Sequence, residues 1–179
     1  MTVVWLTGLP ASGKTSLARR LVTELAAHHV RATLLDSDEV RAVLTPEPSY
    51  EPSERALVYR ALAYLARRLA DEGVVPIVAA TAHEPLLRAV AREIAGDLLL
   101  VHAACPLAVC EARDPKGLYA RARAAPVGHL PGVHVPYEAP DDADIAVDTS
   151  GPVAPAIVTS LVDDIVARLD AEAASRERG

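Results

Sequence analysis

The octapeptide GLPASGKT, from Gly8 to Thr15, is the part of the sequence whose residue types and spacing most directly predict chemistry. It satisfies the G-x-x-x-x-G-K-[ST] pattern of a phosphate-binding loop, in which glycines let backbone N–H groups turn inward around phosphate oxygens. Lys14 would reach the β- and γ-phosphates, and the Thr15 hydroxyl would ligate Mg²⁺. A chance Gly/Ser turn is the alternative, but a strand-like run precedes the motif and a helix-like run follows it. The motif therefore predicts ATP and Mg²⁺ binding by Gly8, Leu9, Pro10, Ala11, Ser12, Gly13, Lys14, Thr15 and Ser16.

A pair of carboxylates follows the second apolar run, in the segment LLDSDEVR. Asp36 and Asp38 would orient Mg²⁺ through water and accept a proton from an attacking hydroxyl, and Arg41 lies one helical turn beyond Asp38. The alternative is that Asp36 or Ser37 only caps the helix that starts there. The two roles are compatible. We therefore expect Lys14, Asp38 and Asp36 to form the catalytic group, with either aspartate as the base.

The segment SYEPSERALVYR supplies an aromatic ring and an arginine close to the start of a predicted helix. An Arg near a helix N-terminus opposes the helix dipole, which indicates that Arg55 meets an anion. Tyr50, in a Pro-rich loop, is either a packing anchor or a stacking platform for a flat ligand.

The elements that must position these residues alternate between strand-like and helix-like patterns. Apolar runs predict strands over 2–7, 31–36, 74–81, 97–104 and 143–149. Helical spacing predicts helices over 14–28, 40–44, 53–72, 83–94, 106–112, 116–125 and 152–170, with a fraying tail over 171–179. This alternation predicts one α/β domain over 1–179, with a five-stranded parallel sheet covered by helices on both faces. Ligands collect at the carboxyl ends of such strands, so the predicted site residues share one edge.

Composition and charge exclude several classes of protein. Hydrophobic residues make up 51% and charged residues 23%, as in a folded domain, and the formal net charge of -6 argues against a nucleic-acid or anionic-membrane binder. Cys105 and Cys110 lack the paired spacing of a zinc site, and the six histidines show no metal-binding pattern. No signal-peptide pattern and no apolar run of membrane-spanning length are visible, so a cytoplasmic location is expected.

Several segments together resemble one family, the adenylyl-sulfate kinases (APS kinases). They occur in the family's order and cover about Val3 to Thr149. EARDPKGLY with a downstream PYE is more specific than the phosphate loop alone. The matching segments are VVWLTGLPASGKTSLA, LLDSDEVR, SYEPSER, LADEGVVPIVA, VCEARDPKGLYARARA and PGVHVPYEAP.

The resemblance implies a three-layer P-loop kinase fold with a mobile lid, which would span about 115–140. It also implies transfer of the ATP γ-phosphoryl group to the 3′-hydroxyl of adenosine 5′-phosphosulfate (APS), giving the 3′-phosphorylated product PAPS in sulfate assimilation. The family's D-G-D-x-x-R motif, which serves magnesium and the acceptor, matches Asp36, Asp38 and Arg41 here. A homodimer is implied as well, since kinases of this family commonly dimerise, although the residues themselves give no oligomeric state.

The resemblance also assigns binding residues outside that motif. Arg55 matches the family's acceptor-binding Arg, and Tyr50 matches a Phe of the same segment. Arg113 falls where the family's A-R-D motif lies beside the ATP adenine. The remaining residues expected to bind the acceptor are Lys116, Leu130 and His134.

Four departures from the family pattern concern the acceptor rather than ATP. Val58 replaces an Asn, Leu130 replaces a stacking Phe, His134 replaces an Asp, and Ala82 replaces a Ser. Losing a ring stack and a neutral hydrogen bond costs about 0.5–1.5 kcal/mol each, or roughly ten- to hundredfold in acceptor affinity.

Three functions remain open from the sequence. The first is phosphorylation of APS, and the second is phosphorylation of another nucleotide or small alcohol in a specialised pathway. The third is a nucleotide-binding switch without transfer activity, which the Asp36 and Asp38 pair disfavours because a pure binder needs no acceptor-side carboxylates.

Overall fold

A computed structural model describes residues 2–176 and shows a central parallel sheet between two layers of helices. The strand order is β2-β3-β1-β4-β5, and every neighbouring pair is parallel. The fold prediction, an α/β fold with a five-stranded parallel sheet, is confirmed. The strands are β1 (Val3–Thr7), β2 (Ala32–Asp36), β3 (Val75–Ala79), β4 (Leu98–Ala104) and β5 (Ile145–Asp148).

The central strands are apolar on both faces because helices cover both sides of the sheet. All five residues of β1 and all five of β3 are buried. The two strands pair in register, with Val4 opposite Ile77, while Val4 also lies opposite Leu99 of β4. The apolar β1 side chains alternate between two cores, with Val3 and Trp5 in one and Val4 and Leu6 in the other.

Seven helices form the outer layers of the part of the chain that the structure describes. In the first core, Trp5 packs with buried residues of α3 and α4, including Leu62 and Leu87. In the second core, Leu6 packs with buried residues of α1 and α7, including Leu21 and Ile165. The helices are α1 (Lys14–Ala27), α2 (Ser37–Leu44), α3 (Pro52–Asp71), α4 (Pro85–Ala95), α5 (Leu107–Arg113), α6 (Leu118–Ala124) and α7 (Pro155–Arg176).

The C-terminal prediction was wrong in part. The predicted fraying tail began at residue 171, yet α7 continues as a helix to Arg176. A tertiary contact explains the extra length, since the buried Thr2 hydroxyl lies 2.6 Å from a carboxylate oxygen of Glu172. The last part of the predicted tail, 177–179, lies outside the described residues.

Other helix ends differ from the prediction by up to three residues. The helix expected from residue 83 begins at Pro85, because proline favours the first turn, where no backbone donor is needed. The helix expected over 116–125 is confined to Leu118–Ala124, after Gly117 in a left-handed conformation. Within residues 2–176, no helix combines the length and apolarity needed to cross a bilayer.

Candidate active site

A single cleft of about 1500 Å³ lies at the carboxyl edge of the sheet. The phosphate loop after β1, the start of α2 after β2, and the irregular segment between α6 and β5 all contribute to its wall. The predicted lid spanned about 115–140, and α6 occupies part of it; we call the remaining irregular segment 125–140 the lid, because several of its residues, including His129 and His134, line the cleft. The cleft brings together residues from Pro10 to Val153 of the sequence.

The phosphate loop is shaped by close backbone packing. A Cβ at Gly8 would lie 2.7 Å from the Ala103 carbonyl oxygen of β4 and 2.7 Å from Ser12 Oγ, so only glycine fits there. Gly13 has a φ of 94°, a left-handed conformation that favours glycine, and it leads directly into α1. The helix N-terminus therefore faces the cleft, where its N–H groups suit an anion.

Lys14 folds back onto its own loop. Its ammonium group donates hydrogen bonds to the carbonyl oxygens of Gly8 at 2.9 Å and Leu9 at 2.7 Å. Burial lowers the pKa of Lys14 to about 8, although the carboxylates of Asp38 and Asp36 act in the opposite direction. The ammonium is thus a desolvated cation held by two carbonyl oxygens, which an incoming phosphate would stabilise.

Asp36 connects the phosphate loop to α2. One of its carboxylate oxygens accepts a hydrogen bond from the Thr15 hydroxyl at 2.8 Å, and the other accepts one from the backbone N–H of Asp38 at 2.9 Å. Asp36 is therefore the N-cap of α2 as well as a neighbour of Thr15. Both roles considered for this residue are compatible with the geometry.

Asp38 lies at the mouth of the cleft and pairs with Lys116, which follows α5. The Lys116 ammonium donates a 2.6 Å hydrogen bond to the Asp38 carboxylate, and both side chains are largely exposed. This hydrogen bond is the largest cause of the raised pKa of Lys116. The ion pair holds the short connection between α5 and α6 against the start of α2.

The oxygen ligands around Thr15 fit Mg²⁺. Magnesium takes a few protein oxygens together with phosphate oxygens and water, rather than a dedicated cage of protein ligands. The Thr15 hydroxyl and the Asp36 carboxylate, 2.8 Å apart, supply such a partial set. Residues 2–176 contain no cluster of three or more His, Cys, Asp or Glu side chains that would hold a metal ion by itself.

Two buried arginines and one tyrosine form the opposite end of the cleft. The guanidinium carbon of Arg41 lies 4.9 Å from the centroid of the Tyr50 ring, and that of Arg55 lies 5.7 Å from it. Arg55 Nε also donates to the Tyr50 carbonyl at 2.9 Å. Three of the sequence-predicted acceptor residues, Arg41, Tyr50 and Arg55, are therefore adjacent at this end of the cleft.

The lid contacts this end of the cleft through Arg55. Its guanidinium donates a hydrogen bond to the His129 carbonyl oxygen, and the His129 ring lies 3.3 Å from the Glu51 carboxylate. Arg55 thus links the Tyr50 loop and the lid with one side chain.

Two predicted acceptor residues have structural contacts inside the lid. His134 accepts from the Leu130 N–H at Nδ1, and its Nε2 lies 3.1 Å and 3.3 Å from the carbonyl oxygens of Ala122 and Ala125. Leu130 packs against the cluster around Leu9. Both residues line the cleft, yet the polar atoms of the His134 ring already have partners in and beside the lid.

The far end of the cleft is formed by the loop after β5 and by two arginines that hold it. Arg113 donates to the Ser150 carbonyl oxygen at 2.8 Å, in the loop that follows β5. Arg20 of α1 donates to the Val153 carbonyl oxygen at 2.7 Å and holds the other end of the same loop. Sequence reasoning identified Arg113 and missed Arg20, which no motif distinguishes from the neighbouring arginine.

Two of the departures from the family pattern lie in the core or beside it. Val58 is fully buried and packs in the core beneath the cleft. The backbone N–H of buried Ala82 donates to the Tyr59 hydroxyl at 2.8 Å, and Tyr59 also lines the cleft. Sequence reasoning gave no role to Glu54, which contacts Arg41, although Glu54 lies in the family-matching segment SYEPSER.

Comparisons with known proteins agree on one family. The sequence profile described as Adenylylsulphate kinase matches residues 1–148. The chain is 37% identical over 168 residues to an adenylyl-sulfate kinase from Shewanella amazonensis, covering 92% of this chain and 84% of the relative. It is 40% identical over 148 residues to one from Paraburkholderia xenovorans, covering 82% and 83%.

A solved structure supports the same relationship. The Mycobacterium tuberculosis APS kinase CysC in complex with AMPPNP and APS superposes with a TM-score of 0.82 at 34% identity. The match covers 94% of this chain and 97% of that one.

Proposed function

Because the chain belongs to the adenylyl-sulfate kinase family, we propose that it transfers the γ-phosphoryl group of ATP to the 3′-hydroxyl of APS, giving PAPS and ADP. The observation that carries the proposal is the content of the single cleft. A phosphate loop with its lysine, two carboxylates at the end of β2, and two buried arginines beside a tyrosine ring all face the same space. A phosphoryl donor and an anionic, flat acceptor require these groups together.

In this proposal the phosphate loop binds the triphosphate of ATP. Lys14 leaves the carbonyl oxygens of Gly8 and Leu9 and donates to phosphate oxygens, and the N–H groups at the start of α1 supply further donors. These fixed donors stabilise the charge on the transferring phosphoryl group. Arg113 and the loop after β5 bind the adenine end.

We propose that Thr15 and Asp36 hold the magnesium ion that accompanies ATP. The ion would supply charge neutralisation between the β- and γ-phosphates. Asp36 accepts a hydrogen bond from the Thr15 hydroxyl and is buried, so the two oxygens are already adjacent before the nucleotide arrives. This arrangement places Asp36 on the metal side of the reaction.

Asp38 is the better placed of the two aspartates to act on the acceptor. Its carboxylate is exposed to the cleft and pairs with Lys116, whose flexible side chain is free to move to the anionic part of APS. We therefore assign Asp38 to align the 3′-hydroxyl and accept its proton. Arg41 and Arg55 bind the phosphosulfate, and Tyr50 stacks on the acceptor adenine. Leu130 and His134 complete the wall from the lid.

The proposal also covers the cellular location and the oligomeric state of the enzyme. We propose a cytoplasmic location, because the two cysteines of the chain are free thiols, as is usual in a reducing compartment. We propose a homodimer as the working assembly, to be measured by light scattering.

The test is a coupled assay of ADP release with APS and with a panel of nucleotides and small alcohols. Saturable turnover with APS supports the proposal. Saturable turnover with another acceptor alone would replace APS with that compound, and ATP binding without turnover on any acceptor would indicate a nucleotide-binding switch.

The first mutational prediction concerns the phosphate loop. Lys14→Ala removes the cation nearest the γ-phosphate, so we expect kcat/KM to fall at least about hundredfold in the same assay. Arg68→Ala is the matched control, because it also removes a cation. Arg68 lies in the last turn of α3 and is half exposed. An Lys14→Ala variant with wild-type turnover would show that this loop does not bind the phosphoryl donor.

A further inference from the structure

Glu54, in the first turn of α3, joins three parts of the acceptor end of the cleft. One of its carboxylate oxygens accepts a hydrogen bond from Arg41 of α2. The other accepts two, from the backbone N–H of Ser49 at 2.6 Å and from the Ser49 hydroxyl at 2.8 Å. A single carboxylate therefore holds the acceptor arginine and the loop residue that precedes Tyr50.

The environment of Glu54 sets it apart from an ordinary surface ion pair. The side chains of Arg41 and Glu54 are only 8% and 12% exposed, whereas most ion pairs on α3 involve side chains that are a third to three quarters exposed. A paired charge out of water is costly to leave without its partner. Burial would raise the pKa of Glu54, but the Ser49 hydrogen bonds and the Arg41 charge outweigh it, so the pKa is lowered.

Tyr50 adopts a backbone conformation that requires such support. Its φ of 59° is left-handed, which is rare and strained for a bulky residue. The Ser49 hydroxyl also accepts a hydrogen bond from the Glu51 N–H at 3.2 Å, so contacts on both sides of Tyr50 trace back to the Glu54 carboxylate. The same carboxylate also accepts a hydrogen bond from Arg41, whose guanidinium lies over the Tyr50 ring.

We propose that Glu54 is a positioning residue that presets the Tyr50 ring and the Arg41 guanidinium for the acceptor, an inference that rests on the proposed function. Glu54 contacts neither ATP nor the reacting hydroxyl. Its effect is on acceptor affinity, because a ring and a cation that are already in place lose less freedom when the acceptor binds. Specificity for a flat anion therefore depends on a residue behind the two groups that contact it.

The test is Glu54→Gln, which keeps the size of the side chain. One oxygen becomes an NH₂ donor, so the amide cannot accept from both Arg41 and Ser49. We expect the KM for APS to rise about tenfold, the size of one charge-assisted hydrogen bond, with kcat and the KM for ATP within about twofold of wild type.

Glu47→Gln is the matched control. Glu47 lies in the same loop, is exposed, and undergoes the same change of charge. Its KM for APS should equal that of the wild type. A Glu54→Gln variant with unchanged KM for APS overturns the proposal, and so does a loss shared equally by kcat and the KM for ATP, which would indicate general damage to the fold.

Two further measurements keep the outcome clear. Ser49→Ala removes one of the two hydrogen bonds to the loop, and we expect a smaller rise in the KM for APS in the same direction. Fluorescence anisotropy of a Tyr50→Trp variant, with Trp5 as a constant background, should fall when Glu54→Gln is added. If the wild type does not turn over APS, the proposed function fails, and an unchanged anisotropy separately overturns the role of Glu54.

Discussion

At the scale of single residues, Lys14 shows how one side chain is prepared for an anion. The ammonium is buried and donates to two carbonyl oxygens, and among residues 2–176 it has no direct carboxylate partner. Its pKa of about 8 lies well below the ordinary value for lysine because of that burial. The charge of Lys14 is therefore easily lost in the free enzyme and strongly favoured once a triphosphate is bound.

This environment predicts that ATP affinity depends on pH. Below pH 8 the free enzyme already carries the charged lysine, while above pH 8 binding must take up a proton. We expect the dissociation constant for ATP to rise above pH 8, by at most about tenfold per pH unit. Calorimetry between pH 7 and 9, in buffers of different ionisation enthalpy, measures the affinity and the proton uptake.

Lys14 affects folding in the opposite direction, because a rise in pH weakens ATP binding but increases its contribution to stability. Between pH 8 and the ordinary lysine pKa of 10.5, the unfolded chain binds more protons at Lys14 than the folded chain. The contribution of Lys14 to the free energy of unfolding therefore rises with pH in this window. For ATP binding, a constant affinity between pH 7 and 9 with no proton uptake would contradict the phosphate-binding role of Lys14.

At the scale of elements, the start of α2 combines structure and chemistry in Asp36. The residue ends β2, caps α2 and meets the Thr15 hydroxyl. A capping role needs only a side-chain oxygen, whereas a metal role needs the negative charge. The two roles are therefore separable by substitution.

We predict that Asp36→Asn separates them. Asn is as good an N-cap as Asp, so the free energy of unfolding should change by less than about 0.5 kcal/mol, while turnover falls at least about hundredfold. Asp36→Ala should lose turnover and also about 1 kcal/mol of stability. Urea unfolding and the ADP-release assay measure the two effects. Full activity in Asp36→Asn would leave Asp36 with a capping role alone.

The elements also show what the sequence could predict. The phosphate loop and the strand-end aspartates follow from local patterns, because a motif of eight residues and the end of an apolar strand fix their place at one sheet edge. Glu54 could not be found that way, since its contact with Arg41 depends on how α2 and α3 approach each other. The same holds for His134, whose partners Ala122 and Ala125 depend on how the lid folds back onto α6.

At the scale of the whole molecule, the sheet separates function from stability. The reacting groups lie at the carboxyl edge, while the two cores on the faces of the sheet carry the buried apolar residues. Helix α7 belongs to the second core and covers the sheet beside α1. Its buried side chains include Val158, Leu161 and Ile165.

This separation predicts that a substitution in the core lowers the free energy of unfolding without changing substrate binding. Ile165→Ala should lower the free energy of unfolding by about 2–5 kcal/mol, because it leaves a cavity in the core. Ile157→Ala in the same helix should cost much less, since Ile157 is 38% exposed and Ile165 is not exposed at all. Urea denaturation measures both, and KM values at a temperature where both variants are folded should match the wild type. Equal losses for the two variants would contradict the packing described here.

The position of β1 at the centre of the sheet has a consequence for the newly made chain. This strand is synthesised first, yet it pairs with β3 and β4, and the Gly8 backbone packs against Ala103 of β4. On the order of a hundred residues must follow before that partner exists, roughly 5–20 s at ribosomal rates of about 5–20 residues per second. A nascent chain that already contains the whole phosphate-loop motif therefore has no phosphate-binding loop until β4 has been made.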